Sequence, residues 1–287
     1  MSQWRWLVVM AVGIAACTVT PTRQPHRATL PIGTAPEPTI WPSPTATPPS
    51  TLNGPRARPS DAELLALPDA IPRIEPRALL GNPAFYEVYG QRYKVLSSAN
   101  GFIERGVASW YGPDFHGIAT STGEPYDMYS MTAAHKTLPL PAYVRVTNLK
   151  NGRTIVVRIN DRGPFKANRI IDLSYAAALK LDMVREGTTL VEIQAEDPTG
   201  AIVQDGLASS AGLYAQVGAF GVLENARRLR DLLSGTGIDA VNIQSDLRNA
   251  TPMYRVRIGP IQSVEAYDSL VDRLHQLGVG KVVLAPN

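Results

Sequence analysis

Hydrophobic and polar residues alternate with a period of two along much of residues 86–195, a spacing typical of β-strands. Strands are predicted at residues 106–111, 142–147, 154–161 and 170–173. In the clearest of them, Ile155, Val157 and Ile159 share one face of the strand. The pattern predicts a mainly β middle domain at residues 83–196, and it places Asp161 at the end of an apolar strand face.

A carboxylate at the end of an apolar face is partly desolvated, which raises its pKa and suits it to donate a proton near neutral pH. Two other roles fit the local sequence as well. Asp161 can form an ion pair with Arg162, or it can cap the turn at Gly163 and Pro164. The local pattern leaves all three roles open.

Two further local signals lie in this domain. The sequence Lys150-Asn151-Gly152-Arg153 between two apolar runs predicts a type I′ hairpin, because both central residues tolerate positive φ. Ser174 is a good N-cap for a helix that continues through residue 181.

Residues 212–287 contain two similar halves. Residues 213–220 align with residues 254–261 at an offset of 41, and each half has the pattern of a strand that turns at glycine and leads into a helix. Helices are predicted at residues 223–233 and 264–277, and further strands at 240–244 and 281–284. This order predicts an α+β domain with a βαββαβ plan, in which two helices cover one face of a four-stranded antiparallel sheet. Residues 197–211 are then a linker.

The N-terminal part has the layout of an export signal followed by a tether. Residues 1–16 carry Arg5 and then an apolar run of about ten residues, too short for a transmembrane anchor. Cys17, the only cysteine, directly follows small residues and resembles the lipidated cysteine of a bacterial lipobox. Because residues 21–59 hold 11 prolines, residues 17–82 are predicted to form a disordered tether with only a short helix at 61–67.

Composition and charge narrow the functional classes. With 287 residues, 44% hydrophobic and 18% charged, the chain fits two domains of ordinary size and not a long membrane bundle. Its net charge of +3 demands no polyanionic partner. His116 and His135 stand in no HExxH-type spacing, so no metal site is predicted. The sequence has neither a P-loop nor a dinucleotide fingerprint, and no cofactor is predicted.

Six short motifs follow one another in the middle domain. They are GVASWYG at 106–112, FHG at 115–117, GE at 123–124, TAAHKTLP at 132–139, NDRGPF at 160–165 and IIDLS at 170–174. Together they resemble the rare lipoprotein A family over about residues 82–195. The resemblance implies a six-stranded double-psi β-barrel and lytic transglycosylase activity on peptidoglycan, with a preference for glycan strands stripped of stem peptides.

The resemblance also implies which acids form the catalytic site. Asp161 corresponds to the principal acid of the barrel, and Glu124, Asp127 and His135 belong to the site around it. One departure is visible: Thr122 stands where the family usually has Asn before Gly-Glu. We expect this change to alter a hydrogen bond to the glycan.

Three further residues of these motifs are candidate glycan contacts: Trp110, Tyr111 and His116. The two aromatic rings can stack on sugar rings. They fit the barrel core equally well, and the sequence does not separate these two roles.

The C-terminal repeat resembles the SPOR domain, a small module that binds denuded peptidoglycan at division septa. The match rests on the YAQVGAF run at 214–220 and the YRV strand at 254–256. By alternation, the open face of the sheet is expected to carry Tyr214, Gln216, Arg255 and Arg257. RNA-binding modules share this topology, but residues 212–287 hold eight Lys and Arg against seven Asp and Glu. This balance argues against a nucleic-acid partner.

The family resemblance therefore predicts a lytic transglycosylase that leaves 1,6-anhydro-N-acetylmuramic acid ends and acts in septal wall processing. The chemistry needs one acid that protonates the glycosidic oxygen and then accepts the proton of the sugar's own 6-hydroxyl. Partners are denuded glycan strands, the periplasmic face of the outer membrane through the lipid anchor, and division-septum proteins. Two alternatives remain: a non-catalytic septal scaffold, and a polysaccharide hydrolase on the same barrel.

Overall fold

The computed structural model describes residues 58–197, 212–246 and 251–286. The predicted signal peptide, Cys17 and most of the predicted linker lie outside these ranges. Within them, no helix has the length and apolar character needed to cross a membrane.

A closed six-stranded barrel forms the middle domain. It is preceded by helix α1 (Asp61–Leu65) and by a hairpin of β1 (Phe85–Val88) and β2 (Gln91–Lys94). The barrel strands are β3 (Ile103–Trp110), β4 (Thr132–His135), β5 (Ala142–Asn148), β6 (Thr154–Asp161), β7 (Arg169–Leu173) and β8 (Thr189–Ala195). Their order is β3-β7-β4-β6-β5-β8. Two pairs are parallel, β3 with β7 and β4 with β6, and the other four are antiparallel. The predicted six-stranded barrel is confirmed.

Strand β6 explains why an acid lies at the end of the barrel core. Ile155, Val157 and Ile159 are at most 2% exposed, whereas Asp161 at the end of the strand is only half-buried. In the neighbouring strand, Ala134 pairs with Asp161 on one side and with Asp172 of β7 on the other. The barrel sheet therefore places Asp161 on one side of Ala134 and Asp172 on the other.

The local signals have different outcomes. Helix α2 (Tyr175–Lys180) begins at Ser174, whose hydroxyl accepts a hydrogen bond from the backbone N–H of Ala177, as predicted. The β5–β6 hairpin also forms, but the prediction that it closes with a type I′ turn is wrong. Only Gly152 has positive φ, at 75°, and a longer loop is closed by a hydrogen bond from its N–H to Asn148. The Asn151 side chain accepts from the Arg153 N–H, which stabilises this wider loop.

Residues 58–82, here called the N-terminal strap, pack against the barrel. Leu64 of α1 is 1% exposed and belongs to the barrel core. Farther along, Ala70 donates its N–H to the Val156 carbonyl, and Asp69 accepts the Val156 N–H, both at 3.0 Å. The proline-rich composition of the residues before this segment predicts that it belongs to the tether. The folded middle domain instead includes residues 58–82, and the short helix within them ends at residue 65.

The C-terminal domain has the predicted βαββαβ order. Its elements are β9 (Leu213–Phe220), α3 (Leu223–Gly235), β10 (Val241–Asp246), β11 (Met253–Ile261), α4 (Val264–Gln276) and β12 (Val283–Pro286). The strands form an antiparallel sheet in the order β10-β11-β9-β12. Both helices contribute buried residues to the hydrophobic cluster on one face of the sheet. The predicted α+β architecture is confirmed.

The barrel and the C-terminal domain are in contact. Arg169 of β7 forms two hydrogen bonds of 2.9 Å with the carboxylate of Asp268 in α4. Val107 and Leu190 of the barrel are buried in the hydrophobic cluster of the C-terminal domain. The two domains therefore share a small core and a bidentate ion pair.

Candidate active site

Asp161 lies at the end of β6 with its two oxygens in different surroundings. Its Oδ1 accepts three hydrogen bonds, from the Ser121 N–H at 2.8 Å, the Ser121 hydroxyl at 2.6 Å and the Arg162 N–H at 2.7 Å. Its Oδ2 accepts one hydrogen bond, from the Tyr111 hydroxyl at 3.2 Å. Because two backbone N–H groups, which can only donate, point at Oδ1 together with the Ser121 hydroxyl, a proton on this carboxyl group is better accommodated on Oδ2.

The side chain of Arg162 does not form the ion pair with Asp161 that the local sequence allowed. Its guanidinium donates to four backbone carbonyls, those of Gly81 at 2.9 Å, His135 at 3.1 Å, Lys136 at 3.5 Å and Leu138 at 2.5 Å. Arg162 therefore ties together the chain segments around Asp161 without forming a salt bridge to the Asp161 carboxylate.

Ser121 belongs to a tight loop between β3 and β4. The Thr120 N–H bonds to the carbonyl of Glu124 at 2.7 Å, and Gly123 between them has a φ of 89°. Thr122 shares a 3.0 Å hydrogen bond with the Thr120 hydroxyl. The loop thus carries Ser121 against Asp161 at one end and Glu124 at the other.

Glu124 is held as a carboxylate on the outer side of β6. Arg158 donates to both of its oxygens, at 2.8 and 3.1 Å, and Asn160 donates at 3.2 Å. The hydrogen bonds from Arg158 are the main cause that lowers the pKa of Glu124. Because Glu124 is ionised at neutral pH, it is poorly suited to donate a proton.

Asp172, which is not among the predicted site residues, is a second carboxyl group near Asp161. The Ser109 hydroxyl donates to its Oδ1. A Cβ placed on Gly163, two residues after Asp161, would lie 3.9 Å from its Oδ2. Burial raises the pKa of Asp172, and the negative charge of Asp161 acts in the same direction, while the Ser109 hydrogen bond opposes them. The signal in the sequence was an acid inside the apolar run at residues 170–173.

Aromatic residues surround the Oδ2 side of Asp161. Tyr111, bonded to Asp161, packs against Tyr126 at a ring distance of 4.9 Å and against Phe115 at 5.8 Å. Burial and the charge of Asp161 raise the pKa of Tyr111, so its hydroxyl remains a donor. Phe115 is 46% exposed. Trp110 instead packs on Tyr175 and the barrel core. Phe115, which was not among the predicted glycan contacts, is therefore the most exposed of these rings.

Asp127 and His116 form a separate, exposed group. Asp127 accepts hydrogen bonds from the Tyr129 N–H and the Ser130 hydroxyl, so it caps a turn. His116 accepts the Met128 N–H at 3.1 Å and lies 3.8 Å from Asp127. No hydrogen bond or ion pair to Asp161 is present for either residue in the described ranges. Those ranges also contain no group of three or more His, Cys, Asp or Glu side chains arranged to hold a metal.

His135 is buried behind the site. Its Nδ1 accepts the N–H groups of Thr137 and Leu138, and its Nε2 lies 3.2 Å from Glu104. Burial lowers the pKa of His135, so the ring is neutral and its Nε2–H donates to Glu104. The imidazole shapes the 135–138 turn, whose carbonyls bind Arg162, and it does not reach Asp161.

The four residues predicted for the open face of the C-terminal sheet form one cluster. Arg257 donates to Gln216 at 3.4 Å and to the Pro286 carbonyl at 2.7 Å. Arg255 donates to Asp246 at 3.2 Å, and Tyr214 interacts electrostatically with Arg257. The Nε of Arg257 is buried and has no acceptor among the described residues.

Comparison with known proteins identifies both domains. A family model described as lytic transglycolase matches residues 103–193, and a SPOR domain model matches residues 209–285. The endolytic peptidoglycan transglycosylase RlpA of Pseudomonas aeruginosa strain UCBPP-PA14 is 36% identical over 281 residues, covering 78% of this chain and 82% of that protein. RlpA of Neisseria meningitidis serogroup A strain Z2491 is 42% identical over 198 residues, covering 69% of this chain and 81% of that protein.

A solved structure of the RlpA SPOR domain from Pseudomonas aeruginosa is 37% identical and covers 26% of this chain and 100% of that one, with a TM-score of 0.25. The RlpA relatives are matched along most of their length, and the two family models fall on the barrel and on the C-terminal sheet. The chain therefore belongs to the RlpA family of lytic transglycosylases, with a double-psi β-barrel followed by a SPOR domain.

Proposed function

We propose that this chain cleaves the glycan strands of peptidoglycan with Asp161 as its acid and base. The supporting observation is the asymmetry of the Asp161 carboxyl group, in which three donors occupy Oδ1 and the Tyr111 hydroxyl alone bonds to Oδ2. A proton held on Oδ2 faces the side of the site that carries Tyr111 and Phe115. This is the geometry that a general acid needs.

The reaction then proceeds with one carboxyl group. Oδ2 gives its proton to the glycosidic oxygen that follows N-acetylmuramic acid, and the bond from C1 to that oxygen breaks. The 6-hydroxyl oxygen of the same muramic acid bonds to C1, and its proton passes to Oδ2. The products are one strand whose departing sugar carries a free hydroxyl group and one strand with a 1,6-anhydro end, and Asp161 is protonated again without the consumption of water.

Glu124 and Asp172 act beside Asp161 and not in its place. Glu124 is an ionised, half-exposed acceptor for sugar hydroxyl or amide groups. Asp172, with its raised pKa, adds a second carboxyl group whose protonation limits the negative charge near Asp161. Phe115 offers an exposed ring on which a sugar stacks.

The C-terminal face directs the enzyme to glycan strands that lack stem peptides. Tyr214, Gln216, Arg255 and Arg257 lie on this face as partly exposed polar residues suited to hydroxyl and N-acetyl groups. We extend this to septal wall processing, where denuded strands arise. Lipidation of Cys17 would hold the protein at the periplasmic face of the outer membrane. The names of the relatives favour endolytic cleavage.

Mass spectrometry of products from purified, peptide-free glycan tests the reaction. A 1,6-anhydro-muramic acid end on internal fragments supports the proposal. A reducing end that incorporates ¹⁸O from labelled water would show a hydrolase, and an intact glycan would favour a binding scaffold. Asp161→Asn is the matched control, since it keeps the size and most hydrogen bonds of the side chain. Palmitate labelling of wild type and Cys17→Ala tests the anchor separately.

A further inference from the structure

The N-terminal strap touches the catalytic site at two points. Its first contact is Glu75, which binds Arg158 through two hydrogen bonds, Nε to Oε1 at 3.1 Å and Nη2 to Oε2 at 3.0 Å. The same guanidinium binds both oxygens of Glu124. The side chains of Glu75 and Arg158 are only 18% and 17% exposed. Arg158 is therefore fixed between Glu75 of the strap and Glu124 of the loop between β3 and β4.

The surroundings of Glu75 keep it ionised. Arg158 is the main cause that lowers the pKa of Glu75 to about 2, and hydrogen bonds from Tyr143 and Arg73 add to this effect. Arg73 donates at 3.0 Å from an exposed position. At neutral pH, Glu75 thus supplies a permanent negative charge that orients the guanidinium of Arg158.

The second contact is the end of the strap at Gly81 and Asn82. The Gly81 carbonyl accepts the Nε–H of Arg162 at 2.9 Å, and Asn82 Oδ1 accepts from Arg162 at 3.3 Å. Gly81 also lies directly against the loop, because a Cβ built on it would stand 2.7 Å from the Ser121 carbonyl oxygen. Its φ of 78° favours glycine as well.

We propose that the strap is a positioning element of the active site, in which Glu75 and Gly81 hold the two ends of the loop that orders Asp161. Glu75 orients Arg158, which fixes Glu124. Gly81 supports Ser121, whose N–H and hydroxyl bind Asp161. The inference rests on the proposed function of Asp161. It means that the catalytic domain includes residues 58–82, and that Glu75 and Gly81 are positioning residues, since neither touches the reacting atoms.

Gly81→Ala in the full chain tests the second contact, with Gly90→Ala as its control. The two glycines have φ values of 78° and 75°, so both substitutions strain the backbone similarly. The added Cβ would have other atoms within 4 Å at Gly81 but none at Gly90. We expect kcat to fall about 10- to 100-fold in Gly81→Ala, with little change in KM, because a small displacement of a catalytic group has this effect. Gly90→Ala should keep wild-type kcat.

Glu75→Gln tests the first contact without backbone strain. Its control is Glu196→Gln, because Glu196 binds Arg145 at 2.6 Å on the same barrel and is 20% exposed, close to the 18% of Glu75. We expect kcat to fall about tenfold in Glu75→Gln and to stay at the wild-type value in Glu196→Gln. Pelleting with denuded glycan should be equal in all variants, since the C-terminal domain is intact.

Asp161→Asn in the same assay separates failure of the inference from failure of the proposed function. If Asp161→Asn keeps wild-type turnover, the assignment of the acid fails. If Asp161→Asn is inactive while Glu75→Gln and Gly81→Ala match their controls, the strap has no positioning role and the inference is overturned. Thermal unfolding of each variant confirms that the protein is folded, and Glu75→Gln remains a test if Gly81→Ala does not fold.

Discussion

Ser121 donates two hydrogen bonds to the same oxygen of Asp161, one from its backbone N–H at 2.8 Å and one from its hydroxyl at 2.6 Å. With the Arg162 N–H, these donors fix the rotation of the carboxyl group. Oδ2 is thereby aimed toward Tyr111. In the proposed mechanism, the loop that carries Ser121 therefore sets the direction in which Asp161 delivers its proton.

Changes to Asp161 and Ser121 should separate proton transfer from orientation. Asp161→Asn should lower turnover on the order of 10²- to 10⁴-fold, because positioned proton transfer contributes that much. Ser121→Ala should cause a smaller loss, since the backbone donor remains. Turnover and thermal midpoint measured on the same purified samples check this. If Asp161 only caps a turn, Asp161→Asn should lower the stability of the protein by at most about 2 kcal/mol and leave its turnover unchanged.

Features that depend on neighbouring residues in the sequence could be predicted. The alternation of Ile155, Val157 and Ile159 placed Asp161 correctly, because strand faces repeat every two residues. Ser174 was identified as a helix cap because its hydrogen bond closes over three residues. The repeat of 41 residues predicted the C-terminal sheet for a similar reason.

Features that depend on distant contacts could not be predicted. Glu75 and Arg158 are 83 residues apart, and nothing in the proline-rich surroundings of the strap marks their pairing. The partner of Asp172, Ser109, lies 63 residues away on another strand. His135 was expected near Asp161, but the turn that follows β4 encloses its ring. Phe115 is 46% exposed, whereas Trp110 packs against the barrel core, and the sequence pattern does not record this difference in exposure.

Phe115→Ala should weaken substrate binding more than it slows the chemical step. The ring is 46% exposed and packs on Tyr111 at 5.8 Å, so its loss removes a stacking surface while leaving the Asp161 hydrogen bonds in place. Aromatic stacking of this kind contributes roughly 0.5–1.5 kcal/mol, which corresponds to a KM increase of about 2- to 12-fold. Steady-state kinetics with Phe115→Leu as control tests it. A fall in kcat with unchanged KM would contradict the stacking role.

The ionised Asp172 side chain should lower the free energy of unfolding of the protein at neutral pH. Burial raises its pKa in the folded protein above the 3.8 of an exposed aspartate, so the folded state resists losing this proton. Stability from this group is therefore greatest at low pH and decreases as pH rises through the folded-state pKa. Asp172→Asn removes the charge but keeps an acceptor for Ser109. Its thermal midpoint should exceed that of wild type at pH 7, and the difference should vanish toward pH 4. Equal midpoints at pH 7 would contradict this prediction.

The contact between the domains should couple their unfolding. Arg169 is 6% exposed on its side chain and binds both oxygens of Asp268 at 2.9 Å, and Val107 and Leu190 are buried beside this pair. In urea, Arg169→Ala, Asp268→Ala and the double variant should give a coupling energy of about 0.5–3 kcal/mol. Arg153→Ala with Asp182→Ala, an exposed pair at 3.2 Å, is the control and should couple by less than about 1 kcal/mol.

Deleting residues 212–287 should lower the thermal midpoint of the barrel, because Val107 and Leu190 then face water. Separate transitions for the two domains, with no coupling between Arg169 and Asp268, would show that they fold independently.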